Sequence, residues 1–217
     1  MIAGITSALS GLQANQLAFD ASANNLANLA TPGYQATRVN QNAAAGGGVA
    51  TSLTTDTATS APIEQTGNST DLAIAGHGSF QVEDAAGNVT TTRNGSFLQD
   101  AQGYLRTADG GYVLGTSGPL QAPAGSTLSV ASNGAVTAQS PDGSSTSVGT
   151  LSLVNNGTVG APSTNGLGGI VSGAVELSNV DPVTEAVNSI VARAGYVANL
   201  KSIEVSNEML KKTYQML

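Results

Sequence analysis

The chain has 217 residues, enough for one good hydrophobic core or two small ones. Aromatic residues make up only 4% of it and Trp is absent, so neither a dense aromatic core nor a large apolar ligand cavity is expected. The net charge of −7 has the wrong sign for a protein that neutralises phosphates, which argues against nucleic acid as a partner. Cysteine is absent, which excludes disulfides, thiolate nucleophiles and Cys-ligated zinc.

An apolar repeat opens the chain and predicts a helix from residue 2 to about residue 29, ended by Thr31-Pro32-Gly33. Steps of three and four residues place one apolar seam along one side of this helix. The N-terminal seam consists of Ile2, Ile5, Leu9, Leu12, Phe19 and Leu26. Gln16 interrupts it, either as a buried polar group that fixes register or as an exposed position.

The rest of this helix is unusual for a surface helix. Asp20 is the only charged residue among the first thirty, and the faces off the seam are rich in Ala. A helix with a solvated outer face normally carries charged residues there. We therefore expect more than one of its faces to contact other helices, some of them from other subunits.

The N-terminus does not have the pattern of a Sec signal peptide, because no Lys or Arg precedes its apolar residues and polar residues interrupt them. No stretch approaches the roughly 20 apolar residues that span a bilayer. We expect no direct membrane insertion.

The middle of the chain is poor in helix signal. Residues 35–62 are polar and carry an Ala and Gly run at 43–48, which predicts an extended connector. Asn-Gly and Asp-Gly turns then recur over residues 63–175, which predicts a small antiparallel β domain with a Gly-rich return segment from residue 155. The predicted strands are 72–74, 79–82, 89–93, 96–99, 104–107, 112–114, 128–131, 135–138 and 150–154.

A second helix is predicted from Pro182 to the C-terminus, with Asp181 as its cap. The C-terminal seam consists of Val183, Val187, Ile190, Ala194, Val197, Ile203 and Leu210. Because each terminal helix must cover a seam, the simplest arrangement pairs the two helices with each other. The predicted fold class is α+β, with a coiled-coil domain of residues 1–34 and 176–217 around the inserted β domain.

Four blocks of sequence carry a family resemblance, in order along the chain. The N-terminal block comprises Asn24, Asn25, Leu26, Ala27, Asn28, Thr31, Gly33 and Tyr34. The later blocks lie at Asp71–Phe80, Thr92–Phe97 and Glu176–Val180. Together they resemble the axial proteins of the bacterial flagellar rod and hook, most closely the longer proximal and distal rod proteins, which carry a β domain.

This resemblance implies an inner tube of paired terminal helices with β domains outside it. It also implies export through the flagellar type III apparatus, assembly with copies of itself and with other axial proteins, and a location in the periplasm-spanning rod of the basal body. The implied function is a structural subunit that polymerises helically into the drive shaft and transmits torque from motor to hook. A short hook-like axial paralogue and, from a different class, a phage-tail or adhesin fibre module are the alternatives.

The sequence predicts no enzyme and no catalytic, cofactor or metal site. His77, the only histidine, lies between two glycines in a predicted turn and cannot form a metal site alone. No Ser, His and acid trio is suggested by neighbouring motifs. We interpret Asn24, Asn25 and Asn28 as polar contacts between helices that set register, the alternative being a fraying helix end.

Overall fold

The computed structural model describes residues 2–123 and 125–216, and it divides the chain into two compact units. We call them the helical unit (Met1–Leu29, Gln35–Ala58 and Val180–Leu217) and the β unit (Ala30–Tyr34 and Thr59–Asn179). Both long helices lie in the helical unit and most of the antiparallel strands lie in the β unit, which confirms the α+β class. Residues 30–34 and 176–179 lie in the β unit, whereas the sequence prediction placed them with the terminal helices.

Two long helices dominate the helical unit: α1 (Ile2–Ala27) and α2 (Pro182–Gln215). The predicted start of α2 is confirmed, because the Asp181 carboxylate accepts a hydrogen bond from the Val183 amide at 3.1 Å and Pro182 is the first helical residue. Hydrogen bonds from the Thr184 hydroxyl and the Val183 amide hold the pKa of Asp181 below its usual value.

The segment predicted to be an extended connector instead contains an antiparallel hairpin of β1 (Thr37–Ala43) and β2 (Val49–Thr55). The Ala and Gly run is its turn, in which the Ala44 amide donates to the Gly48 carbonyl at 3.1 Å. Its tip is bonded to α1, since the Val49 amide donates to the Ser10 hydroxyl oxygen at 3.0 Å. Because most hairpin residues are exposed, the sequence lacks the alternation of apolar and polar residues that predicts a strand.

The β unit is built from short antiparallel strands, and every predicted strand overlaps an observed one. Some further strands lie in segments for which no strand was predicted, including the Gly-rich return segment. The strands of the unit are β3 (Ile63–Gln65), β4 (Leu72–Ala75), β5 (Ser79–Glu83), β6 (Val89–Thr92), β7 (Leu98–Gln99), β8 (Leu105–Arg106), β9 (Tyr112–Gly115), β10 (Gly118–Pro119), β11 (Thr127–Val130), β12 (Ala135–Gln139), β13 (Ser145–Thr150), β14 (Leu153–Asn155), β15 (Thr158–Gly160), β16 (Gly169–Ser172) and β17 (Ala174–Glu176).

The largest sheet has the strand order β15-β14-β5-β9-β8-β7, with β6 beside β5 and β10 beside β9. A second sheet is formed by β11-β12-β13, and two separate ladders pair β16 with β4 and β17 with β3. The return strands thus pair with the strands that open the unit, which brings the start and the end of this domain together.

One hydrophobic cluster fills the β unit. Two of the chain's three Phe residues, Phe80 and Phe97, lie at its centre with their rings edge to face at 5.1 Å between centroids. Leu, Ile and Val side chains from both sheets and from the β16–β4 ladder surround them. Aliphatic side chains therefore supply most of this core.

Candidate assembly surfaces and motif junction

A buried ion pair joins the middle of the β unit to its C-terminal end. The Arg93 and Glu176 side chains are only 7% and 4% exposed, and the Arg93 Nε and Nη2 atoms lie 2.7 and 2.6 Å from Glu176 Oε2. The remaining guanidinium donors bond to the carbonyl oxygens of Ile74 (3.2 Å), Gly76 (3.1 Å) and Gly78 (2.6 Å). Arg suits this position because its donors form a rigid, planar fork.

The N-terminal block ends directly on this ion pair. Gly33 has φ +67, and a Cβ built on it would lie 2.3 Å from the Arg93 carbonyl carbon, so only glycine fits without movement. The Gly33 amide donates to the Glu176 carbonyl at 2.7 Å. We call Gly33, Arg93 and Glu176 the motif junction; the sequence analysis named Gly33 but not the pair that it contacts.

The Asn residues of the N-terminal block lie in different surroundings. Asn25 is buried, and its side chain accepts from the Thr37 amide at 2.8 Å and donates to the Thr37 carbonyl at 2.9 Å. Asn28 donates to the Asn24 carbonyl at 2.9 Å, and Asn24 is exposed. Asn25 therefore fixes the start of the hairpin on α1 through these two bonds. The interpretation of Asn24, Asn25 and Asn28 as polar contacts between helices stays a prediction.

The two helices contact each other through small residues. A Cβ built on Gly11 would lie 2.8 Å from Asn199, and one built on Gly195 would lie 2.7 Å from Asn15. These reciprocal contacts show an antiparallel pair, because the residue numbers rise along one helix as they fall along the other. Further buried residues on this face are Ala8, Ala14, Ser22 and Ala192.

The predicted seams are only partly covered within one chain. Along the N-terminal seam, Ile5 and Leu12 are half-buried, Leu9, Phe19 and Leu26 are exposed, and the Ile2 side chain lies outside the described residues. Along the C-terminal seam, Val183, Val187, Ile190, Ala194 and Val197 are exposed, and Ile203 and Leu210 are half-buried. Phe19 and Val197 line one groove between the two helices. The helices do contact each other, and their pairing through the seams stays a prediction.

The sequence analysis expected the Ala-rich faces of α1 to make contacts, and small residues are indeed buried there. They recur on α1 in steps of three and four, as Ala8, Gly11, Ala14, Ala18 and Ser22. The larger side chains of the apolar seam are the more conspicuous pattern, yet small residues allow two helix backbones to approach most closely.

In the part of the chain that the structure describes, no group of three or more His, Cys, Asp and Glu side chains is placed to hold a metal ion. Nor does any described helix have the length and apolar character needed to cross a bilayer. His77 is exposed in the predicted turn between β4 and β5.

Three family models match the chain in sequence order. They are described as flagella basal body rod protein (residues 5–35), flagellar hook protein FlgE/F/G D1 domain (residues 73–138) and flagellar basal body rod FlgEFG protein C-terminal (residues 171–216). The chain is also 31% identical to the flagellar basal-body rod protein FlgG of Bacillus subtilis over 259 aligned positions, which cover 98% of each protein. The chain belongs to the flagellar basal-body rod and hook protein family. The predicted family is thereby confirmed.

Other relatives in this family differ in how much of the chain they match. FlgG of Buchnera aphidicola subsp. Acyrthosiphon pisum is 28% identical, with all of both proteins covered. The flagellar hook protein FlgE of Helicobacter mustelae is 33% identical, but the match covers 52% of this chain and 30% of that protein.

The motif junction takes one residue from each of the three matched segments: Gly33, Arg93 and Glu176. Segments far apart in the sequence of this rod and hook family member thus meet at one buried contact. The family is structural, its members assemble into the axial part of the flagellum, and this chain is accordingly a structural component of the flagellar basal body.

Proposed function

We propose that the chain is an FlgG-type rod subunit that polymerises helically, through its terminal helices, into the drive shaft that transmits torque from motor to hook. The matches that extend over the whole chain are to rod proteins, whereas the hook relative matches about half of it. This favours a rod subunit over a hook-like paralogue, and family membership disfavours a phage-tail or adhesin module. Export through the flagellar type III apparatus and the absence of nucleic acid partners belong to the same proposal.

The observation that carries the proposal is an apolar stripe on the outer face of α2. Val183, Val187, Ile190 and Val197 are each more than half exposed. With 3.6 residues per turn, these residues lie on the side of α2 opposite the face that contacts α1. A contiguous apolar surface of this kind on a soluble domain indicates a contact with another protein.

The coiled coil predicted from the sequence is, in this proposal, formed between subunits. The small-residue face of each helix is used within the chain, which leaves the C-terminal stripe and the exposed part of the N-terminal seam, Leu9, Phe19 and Leu26, for neighbouring copies. Burying one Val, Ile or Leu side chain fully contributes about 1.5–3 kcal/mol. Completing the burial of the four residues of the α2 stripe would contribute about 4–7 kcal/mol per subunit, before the entropy of association is subtracted.

The motif junction suits a subunit under torque. Gly33 lies in the first segment of the β unit and Glu176 near the end of its second, and the Gly33 amide donates to the Glu176 carbonyl while the Glu176 carboxylate pairs with Arg93. A load that pulls the segment around Glu176 away from the rest of the unit would have to break both this hydrogen bond and the buried ion pair.

The test is Ile190→Asp, with Ser202→Asp as the control on an exposed position outside the stripe. Because Ile190 is 69% exposed, the monomer should keep its circular dichroism spectrum and its thermal midpoint, whereas a charge in a buried stripe should abolish polymerisation in sedimentation assays. Ser202→Asp should polymerise as the unmodified chain does. Normal polymers from Ile190→Asp would contradict the proposal.

A further inference from the structure

A groove of about 330 Å³ lies within the helical unit, between α1, β1 and α2. Amide side chains dominate its polar lining: Asn15 from α1, Asn40 and Gln41 from β1, and Asn188 from α2. Glu185 lines it as well. The groove is therefore a polar recess with one carboxylate, and nothing on the chain itself fills it.

Glu185 is the acid of this recess, and it has no counter-charge among the described residues. It is 5% exposed, and its carboxylate makes no hydrogen bond or ion pair with any of them. Another buried carboxylate, Glu176, is paired with Arg93 through Oε2. Arg38 also lines the groove, but its guanidinium is bonded to Asp56 at 2.8 Å. The Glu185 oxygens are not among the fully buried, unpaired atoms, so they open into the groove, where a cation that enters can pair with them.

The chemistry of the recess specifies that cation. Asn and Gln side-chain oxygens and a carboxylate are all hydrogen-bond acceptors, and a guanidinium offers five N–H donors in a plane. A guanidinium is also less strongly hydrated than an ammonium, so it enters a buried site more readily. The partner that fits is an arginine side chain.

The chain itself carries such an arginine on the surface proposed for assembly. Arg193 is exposed and forms no ion pair with any described residue. It lies three residues after Ile190 and four before Val197, and therefore borders the apolar stripe. It cannot reach Glu185 of its own chain, because eight residues along one helix separate the two by about 12 Å.

We propose that the groove receives the Arg193 guanidinium of a second copy of the chain, where it pairs with Glu185. The proposal rests on the proposed function, since it requires polymerisation. Donor and acceptor lie on different patches of the same subunit, so the contact is head-to-tail, the type that builds open helical polymers.

A double-mutant cycle on the full chain tests it: Glu185→Gln, Arg193→Gln and the two together, with the critical concentration for polymerisation measured by sedimentation. Each single change should raise that concentration on the order of thirtyfold, as expected when one partner of a buried charge pair is lost. The double variant should be no worse than either single variant, because the two changes remove the same interaction. The Glu185→Gln monomer should be at least as stable as the unmodified monomer, since the unpaired charge is gone. As the control, Glu204→Gln, which removes an exposed carboxylate of α2, should leave the critical concentration unchanged and show no coupling to Arg193→Gln.

The other outcomes are decisive too. If the unmodified chain polymerises and Glu185→Gln polymerises equally well, the pairing is overturned while the proposed function stands. If Glu185→Gln couples to Lys211→Gln or Lys212→Gln rather than to Arg193→Gln, the assignment of Arg193 is overturned. If the unmodified chain does not polymerise, the proposed function fails and the pairing fails with it.

Discussion

Arg93→Met tests the contribution of the motif junction to the stability of the β unit. The change keeps an unbranched apolar stem but removes the guanidinium, and with it every side-chain donor of the motif junction. It leaves the buried Glu176 carboxylate without a counter-charge, and three backbone carbonyl oxygens lose the N–H groups of Arg93 that donate to them. Removing one partner of a buried pair typically costs about 3–5 kcal/mol.

That loss is large relative to the total stability of a domain, which is about 5–15 kcal/mol. For a chain of this size, 1 kcal/mol shifts the unfolding midpoint by about 2–4 °C. The expected result in scanning calorimetry is a β-unit transition lowered by about 6–20 °C.

Arg106→Met is the matched control in the same unit. The Arg106 side chain is 33% exposed, and its distance to Asp100 is 3.6 Å. Its guanidinium also donates to the Gly110 carbonyl and lies 4.6 Å from the centre of the Tyr112 ring, but no buried charge is left behind when it is removed, and water can reach the site. We expect a smaller loss of about 1–2 kcal/mol. The double variant Arg93→Met with Glu176→Leu should recover most of the stability, because no unpaired charge then remains. Equal midpoints for Arg93→Met and Arg106→Met would refute the reasoning.

Two further predictions concern the N-terminal block. Gly33→Ala should destabilise the β unit by about 2–5 kcal/mol in a urea titration, since the new methyl group adds a clash to the strain of a left-handed backbone. Its control is Gly67→Ala, with φ +74 and open space around the glycine, which should lose only about 1–2 kcal/mol in the same titration. Equal losses would contradict the proposed close contact. Asn25→Leu should leave the Thr37 backbone groups unpaired and cost about 1–3 kcal/mol, seen as faster hydrogen exchange in the hairpin. Gln13→Leu, on an exposed position of α1, is its control, and hairpin protection that survives Asn25→Leu would show that these two bonds are dispensable.

Local features of the sequence predicted much of the fold. The bounds of α1, the Asp181 cap and the strands from Leu72 to Val154 follow from periodicity, capping chemistry and turn residues, all of which act over a few neighbouring positions. The hairpin of β1 and β2 was missed because its residues are mostly exposed and carry no alternation, so only its contacts with α1 show that it is ordered. The strands of the return segment were missed because they are short and pair with β3 and β4, about a hundred residues earlier.

The sequence by itself determined the family, the two terminal helices and the apolar stripes, because each of these depends on patterns among residues that are close together along the chain. Only the tertiary structure decided which helix faces meet within the chain and which acids and bases become partners. Glycine and alanine lie at the contact between α1 and α2 because small residues let the two backbones approach. This packing leaves many of the larger apolar side chains on the surface. Arg93 and Glu176 are 83 positions apart, and nothing local distinguishes them from solvated charges until the fold removes both from water.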